Sequence, residues 1–439
     1  MQKWLILLLI AVGSCLAQDI DTATKETLIA TSGSFMKDFS KGRYEDATVN
    51  FDKTMKEVSG ADKLEALWDQ LQVRYGKFKY QSNIRVERQG NYINTFVTCV
   101  YEKDMIDIKL VYDQYKRIAG MWIVPIWTPP EYADKSAFTE SDMRFGVKGW
   151  ELPGTLTMPD GKGPFPVVIL VHGSGAHDRD ETIVPNKPFK DLAWGLGSKG
   201  IAVFRYVKRN KEHQAALMAS KEPFTVYKET VEDALEATKL MRMTEKIDPE
   251  GIYILGHSLG GMMIPRIGAE DKAIAGFISM AGSLRPLEDI TLDQVDYLRS
   301  IKEHPTKAEL QIFESIERGV KQVKAFKEGE TGFVLGAPVS YWLDFKSYDW
   351  TGAAKRLEMP LLILQGERDY QITLKKDFTL WKEVLKEQSN VQFKTYAKLN
   401  HLFIEGSGEG LSKPDDYANP GHIAPYVIQD IAGFINAAR

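Results

Sequence analysis

The sequence predicts a small α+β domain followed by a doubly wound α/β domain with a mainly parallel sheet. Two observations indicate the larger domain: continuous apolar segments recur between residues 165 and 369, and segments with helical spacing separate them. A third observation indicates the smaller domain. Residues 23–39 and 61–75 have helical spacing, and residues 92–113 then alternate with the period of two that is typical of strands. The length of 439 residues also favours two domains over one.

Composition and charge restrict the classes of function. With 44% hydrophobic and 26% charged residues, the chain has the material for a packed core. Its formal net charge is −4, and no long run of Lys or Arg interrupts the sequence. We therefore expect no nucleic-acid partner, because binding to phosphates requires concentrated positive charge.

Residues 1–17 have the pattern of a secretory signal peptide: Lys3, the apolar run from Trp4 to Val12, and small residues. Two interpretations of the cleavage remain open. Cys-Leu-Ala before Gln18 suits ordinary signal peptidase, whereas the stretch from Val12 to Cys15 resembles a bacterial lipobox, in which Cys15 would carry a lipid anchor. Both predict an exported protein, periplasmic or extracellular, and the first is favoured. Cys99 is the only other cysteine, so no intramolecular disulfide is expected in the mature chain.

Residues 22–128 are predicted to form the first domain, with helices preceding an antiparallel meander. In the second helix Leu64, Leu67, Trp68 and Leu71 share one stripe. In the meander Ile106, Ile108 and Leu110 alternate with more polar neighbours, which predicts one wetter sheet face. Four aromatic residues could line a concave ligand face or belong to the core, and the core is favoured: Tyr92, Phe96, Trp122 and Trp127.

Pro129 and Pro130 indicate an extended linker, placed at residues 129–139, and the second domain is predicted over 140–439. Its apolar runs, at 165–173, 201–207, 251–258, 274–282 and 360–369, predict strands buried on both faces. In such a domain the site lies at the carboxyl ends of the strands. Residues 283–356 interrupt the alternation with helical segments. They are interpreted as a lid or pocket wall, with a purely structural insertion as the alternative.

The stretch GIYILGHSLGGMM, residues 251–263, contains a candidate nucleophile. A buried strand enters it, Ser258 stands between glycines, and a helix-compatible segment follows. This strand-turn-helix context is what a nucleophile elbow requires, because the serine must adopt strained backbone angles while the neighbouring backbones approach closely. Gly256 and Gly260 suit that approach.

A serine hydroxyl needs a base, usually a histidine that a carboxylate orients. Asp369 follows the buried run LLILQGERD and is the preferred acid, with Glu367 as its rival. His401 follows the strand-like VQFKTYAKLN and is the preferred base, with His422 as a minor alternative. The chain order serine, acid, histidine is the order this fold uses.

The oxyanion of such a reaction needs two backbone amides. Leu259, directly after the nucleophile, is one candidate, and Ser174 in VHGSGAHDRDE, after an early strand, is the other. The sequence contains no H-E-x-x-H pattern or Cys/His cluster and no G-x-G-x-x-G at these strand ends, so neither a metal nor a nucleotide cofactor is expected.

These motifs resemble those of bacterial serine esterases of the α/β-hydrolase superfamily: VHGSGAHDRDE, GHSLGG, LQGERDYQI and NHLF. Residues 22–128 resemble a small NTF2-like domain of unknown function that precedes bacterial hydrolase domains. The resemblance implies ester hydrolysis, with Ser258, Asp369 and His401 as the triad. One departure concerns the family's usual RYDKRG, which reads RYVKRN here, with Val207 and Asn210 as the exchanged residues.

The predicted function is therefore hydrolysis of small carboxylic esters through an acyl-enzyme. Alternatives are a serine peptidase or thioesterase on the same scaffold, or a ligand-binding protein whose hydrolase domain is idle. Tyr341 and Trp342 in the insertion are candidate substrate contacts, with core packing the favoured role. The first domain is a candidate for dimerisation or ligand binding.

Overall fold

The computed structural model describes residues 20–89, 92–220, 222–406 and 408–438. The predicted signal peptide and Cys15 lie outside these residues. The described chain forms two compact units, one ending at Thr128 and the other beginning at Pro129. Within the described residues, no helix combines the length and hydrophobicity that crossing a bilayer requires.

The first unit packs helices against one face of an antiparallel meander in the order β1-β2-β3-β4. Its elements are α1 Thr22–Ser40, α2 Tyr44–Ala47, α3 Lys53–Val58, α4 Ala61–Tyr75, β1 Phe78–Gln89, β2 Tyr92–Tyr101, β3 Met105–Tyr112 and β4 Ile118–Pro125. The predicted stripe of α4 is buried at Leu64, Trp68 and Leu71. The small α+β domain with an antiparallel sheet is thus confirmed.

The other face of this sheet is more polar, as the alternation in β3 predicts. Arg85 and Asp107 form an ion pair across it at 2.6 Å. The Nζ atom of Lys109 lies 5.7 Å from the ring centre of Phe96 and 5.9 Å from that of Trp122. The side chain of Trp122 is 41% exposed, and that of Tyr92 is 60% exposed. The core interpretation is therefore wrong for Tyr92 and Trp122.

The second unit contains an eight-stranded sheet in the order β14-β13-β10-β9-β7-β8-β6-β5. Its strands are β5 Phe138–Phe145, β6 Leu152–Pro159, β7 Phe165–Val171, β8 Ala202–Tyr206, β9 Ile247–His257, β10 Gly276–Met280, β13 Leu361–Gly366 and β14 Val391–Tyr396. Pairing is parallel from β14 to β8 and antiparallel for β6 and β5. The mainly parallel α/β sheet is confirmed, and β5 starts two residues before the predicted start of the domain.

Helices connect the strands from β7 onward, and most of the insertion is helical. The helices outside the insertion are α5 Pro188–Gly197, α6 Arg209–Glu212, α7 Gln214–Ala219, α8 Glu232–Arg242, α9 Leu259–Glu270, α14 Thr379–Val384 and α15 Pro425–Ala437. Between β10 and β13 lie α10 Leu287–Ser300, α11 Lys307–Ala325, the two-residue strands β11 Phe333–Val334 and β12 Ala337–Pro338, α12 Val339–Ser347 and α13 Trp350–Lys355. A capping box of Thr306 and Glu309 begins α11.

Helices α10 and α11 contribute to a second apolar cluster, separate from the sheet's own core. Val295 and Leu298 of α10 and Phe313 of α11 pack there together with Tyr370 and Leu402. The last two residues directly follow Asp369 and His401 in the chain. The insertion therefore packs against the loops that carry the predicted acid and base.

Candidate active site

Ser258 lies at the junction of β9 and α9 in a strained conformation. Its φ of 52° and ψ of −114° fall in a region that non-glycine residues rarely occupy, which costs about 1–3 kcal/mol. The amide of Ser258 donates to the carbonyl of Met280 at 2.9 Å, which ties the turn to β10. A Cβ on Gly256 would lie 2.2 Å from the Gly260 oxygen, and one on Gly260 would lie 2.1 Å from the Val171 oxygen. Both positions thus require glycine, as an elbow demands.

Asp369 and His401 meet at the carboxyl ends of β13 and β14. The Oδ2 atom of Asp369 lies 2.7 Å from Nδ1 of His401, and both side chains are buried. The amides of Gln371 and Ile372 donate to Oδ1, and Nε2 of Gln365 donates to Oδ2. With Nδ1 held by the acid, Nε2 of the imidazole is the nitrogen available for proton transfer.

The rival acid and base lie elsewhere. The Oε1 atom of Glu367 accepts from the hydroxyl of Thr395 at 2.7 Å, next to β14. The Nδ1 atom of His422 lies 3.0 Å from Oδ1 of Asp191. The structure therefore brings His401 together with Asp369, and it gives Glu367 and His422 other partners.

The loop after β7 approaches the nucleophile. A Cβ on Gly173 would lie 3.2 Å from Cβ of Ser258, so this backbone passes directly beside the serine. Ser174 follows Gly173, and Leu259 is the first residue of α9, where the amide has no acceptor within the helix. Both predicted oxyanion donors thus belong to segments adjoining Ser258.

His257 has a role that the sequence did not reveal. Its Nε2 atom lies 2.9 Å from the carbonyl oxygen of His401, and its Nδ1 atom lies 2.9 Å from Oε2 of Glu181. The latter contact is an ion pair without the in-line geometry of a hydrogen bond. Oε1 of Glu181 accepts from the amide of Gly173 at 2.7 Å. This buried pair therefore joins the loop after β7 to the loop carrying His401.

The two members of this pair shift each other's pKa toward the ionised forms despite their burial. Desolvation would lower the pKa of His257, but the charge of Glu181 outweighs it and raises that pKa above the ordinary 6.5. Burial opposes ionisation of Glu181 as well, yet His257, with His177 and His172, lowers its pKa from 4.5 to about 2. Desolvation lowers the pKa of His172 to about 3 and also lowers that of His177. Of these three histidines, His257 is the one whose pKa is raised, because its partner Glu181 favours the imidazolium form.

Replacing Glu181 with Gln should destabilise the protein in a pH-dependent way. The depressed pKa of Glu181 adds stability above pH 4.5, and the raised pKa of His257 adds stability below pH 6.5. Near pH 6, Glu181→Gln should cost about 3 kcal/mol, because it leaves a buried imidazole without its counter-charge. The cost should shrink as the pH rises through the raised pKa of His257. Thermal unfolding of both proteins from pH 5 to 9 measures this, and a difference that does not vary with pH would refute the ion pair.

The two insertion residues are engaged within the protein. The hydroxyl of Tyr341 donates to Oε2 of Glu229 at 3.0 Å, and Nε1 of Trp342 donates to the Val334 carbonyl at 2.9 Å. Both side chains are buried. Their placement favours packing, the role preferred from the sequence, over contact with a substrate.

The described residues contain no group of three or more His, Cys, Asp or Glu side chains arranged to hold a metal ion.

A strained serine between a parallel strand and a helix, followed in chain order by a buried Asp–His pair, is characteristic of the α/β-hydrolase superfamily. Residues 163–406 match the family described as serine aminopeptidase S33, and residues 32–121 match a family of unknown function, DUF3887. The chain is 37% identical over 405 residues to Esterase EstD of Thermotoga maritima, covering 91% of this chain and 93% of that protein. The chain therefore belongs to the esterases of the α/β-hydrolase superfamily.

Two solved esterase structures are also similar. Est1E from Butyrivibrio proteoclasticus is 16% identical with a TM-score of 0.43, covering 68% of this chain and 98% of that one. An esterase of Pyrococcus furiosus is 14% identical with a TM-score of 0.44, covering 72% of this chain and 95% of that one.

Proposed function

We propose that the protein hydrolyses small carboxylic esters through an acyl-enzyme, with Ser258 as nucleophile, His401 as base and Asp369 as the orienting acid. The observation that carries this proposal is the 2.7 Å contact between Asp369 and Nδ1 of His401, made at the same sheet edge as the strained Ser258. Asp369 holds one imidazole tautomer and stabilises the imidazolium that forms during the reaction.

In the first half of the reaction, Nε2 of His401 takes the proton from Oγ of Ser258 as that oxygen attacks the ester carbonyl carbon. The amides of Leu259 and Ser174 donate to the resulting oxyanion. The carbonyl re-forms, the bond to the alcohol oxygen breaks, and His401 returns its proton to that oxygen. Water then attacks the acyl-enzyme by the same steps, releasing the acid and free Ser258.

A serine peptidase is a second candidate, since the family description names aminopeptidases. A triad by itself does not separate esters from amides or thioesters. A panel with one acyl group presented as an ester, a thioester and an amide separates the three. We expect the ester to have the highest kcat/KM, and a higher value for the amide or the thioester would replace the esterase proposal.

Labelling with a fluorophosphonate probe, followed by peptide mapping, is the direct test of the site. We expect a single adduct on the peptide that contains Ser258, together with hydrolysis of short and medium p-nitrophenyl esters. Folded protein that neither takes the label nor turns over any ester would instead support a ligand-binding protein with an idle hydrolase domain.

We also propose that the protein is exported with cleavage before Gln18, on the basis of the apolar run from Trp4 to Val12. Mass spectrometry of the mature N-terminus tests this. A diacylglyceryl group on Cys15 would establish the lipoprotein alternative, and a chain that still begins at Met1 would contradict export. Ligand binding or dimerisation by the first domain stays a prediction.

A further inference from the structure

Lys208, which follows β8 by two residues, has an unusually buried charge. Its side chain is 2% exposed, and its Nζ atom lies 2.7 Å from the carbonyl oxygen of Gly173 and 3.3 Å from Oε2 of Glu229. Removing an ammonium group from water costs several kcal/mol unless its partners compensate. An ammonium group buried at this cost is expected to hold a neighbouring group in place.

The Gly173 carbonyl belongs to the same peptide unit as the amide of Ser174. That peptide is trans, because the only cis bond among the described residues joins Gly163 and Pro164. In a planar trans peptide the N–H points opposite to the C=O. By holding the carbonyl oxygen of Gly173, Lys208 therefore fixes the direction in which Ser174 donates.

The preceding peptide is held as well, since the amide of Gly173 donates to Oε1 of Glu181 at 2.7 Å. With the backbone anchored on both sides of its α-carbon, Gly173 has little freedom to rotate. Its α-carbon also lies close to Ser258, because a Cβ there would approach Cβ of the serine to 3.2 Å. The fixed peptide is thus next to the reacting hydroxyl.

Glu229, the carboxylate partner of Lys208, links Lys208 to the insertion. It lies in the π-helical turn of residues 227–231, a distortion that often marks functional sites. Its Oε1 accepts from Nδ2 of Asn210 at 2.6 Å, and its Oε2 accepts from the hydroxyl of Tyr341. Asn210 also donates to the Gly175 carbonyl at 3.2 Å. Asn210, a departure from the family's usual RYDKRG, therefore provides a second anchor for the same loop.

We propose that Lys208 is a positioning residue for the oxyanion hole, acting through the Gly173–Ser174 peptide and neutralised by Glu229. This inference rests on the proposed function, because it assumes that Ser174 donates to the oxyanion. An ammonium on the carbonyl also polarises the peptide, so that its N–H becomes a stronger donor. The effect is greatest in the transition state, when the negative charge develops.

Lys208→Met removes the charge and keeps much of the side chain's volume. We expect kcat for p-nitrophenyl esters to fall about 10²-fold, as for the loss of one oxyanion donor, with a much smaller change in KM. A thionoester of the same acyl group provides the specific readout, because its sulfur is a weak hydrogen-bond acceptor and gains less from the hole. The variant should therefore lose much less activity on the thionoester than on the ester.

Arg209→Lys is the matched control in the same segment. Arg209 is buried and pairs with Asp233 and Glu232, away from the Gly173 carbonyl. We expect this control to lower the thermal unfolding midpoint and to leave the ester-to-thionoester ratio unchanged. If Lys208→Met does not fold, the double variant Lys208→Met/Glu229→Gln replaces it, because it leaves neither charge unpaired.

Equal losses on ester and thionoester, or an unchanged kcat in a folded variant, would overturn the positioning role while leaving the esterase proposal intact. Failure of the proposed function looks different, since wild-type protein would then hydrolyse neither substrate or Ser258→Ala would retain activity.

Discussion

Ser258→Ala is expected to lower kcat for ester hydrolysis by about 10⁶-fold, the scale on which a serine hydrolase loses activity without its nucleophile. The chain neighbours of Ser258 carry no hydroxyl that could replace it, because His257 and Leu259 flank the position and Gly260 follows. Steady-state kinetics with p-nitrophenyl esters and fluorophosphonate labelling measure the loss. Activity within 100-fold of the wild type would assign the nucleophile elsewhere.

Ser258→Gly is the matched control for folding. Glycine adopts positive φ without the steric cost that alanine and serine bear at 52°. We expect both variants to be inactive and the glycine variant to have the higher thermal unfolding midpoint of the two. A glycine variant that unfolds at a lower temperature than the alanine variant would contradict the strain at this turn.

The parallel core of the second domain could be predicted because burial on both faces leaves a continuous apolar run. The runs at 165–173 and 360–369 became β7 and β13. Strands β5 and β6 leave no such trace. Most residues of β5 are at least partly exposed, and Pro153 and Gly154 interrupt the pattern of β6. These two antiparallel strands at one end of the sheet were therefore missed in the sequence.

The site was predictable where a motif determines the local backbone. Glycines around Ser258 and an acid directly after a buried strand are local signals. The contacts of Lys208 with Gly173 and of His257 with Glu181 link segments that are distant or unpatterned in sequence. Polar pairs of this kind have no periodicity, so only the fold shows which charges meet. In the sequence, only the position of Glu181 at the acidic end of the motif VHGSGAHDRDE pointed to a role near the site.

The first domain shows a limit of the same kind. An aromatic residue on a strand predicts burial, but the face it occupies depends on where the helices pack. The helices cover the face of Ile108 and leave Trp122 on the other one. The sequence of a helix does not indicate which face of the sheet the helix will cover.

Asp369→Asn should lower kcat by about 10⁴-fold, whereas Glu367→Gln should leave kcat nearly unchanged. An asparagine amide facing Nδ1 of His401 would favour the wrong imidazole tautomer and could not stabilise the imidazolium. The side chain is fully buried and four donors surround its two oxygens, so the substitution affects an ordered site.

Glu367 is a demanding control because it lies two residues away and carries the same charge. Its carboxylate accepts a hydrogen bond from Thr395 and not from His401. Neutralising Glu367 should therefore lower the stability by no more than the small contribution of a surface interaction. Steady-state kinetics of the two variants at one pH decide whether Asp369 or Glu367 is the acid of the triad. Thermal unfolding checks that both variants are folded. Loss of activity in Glu367→Gln with retention in Asp369→Asn would reverse the assignment, and with it the mechanism by which His401 is oriented.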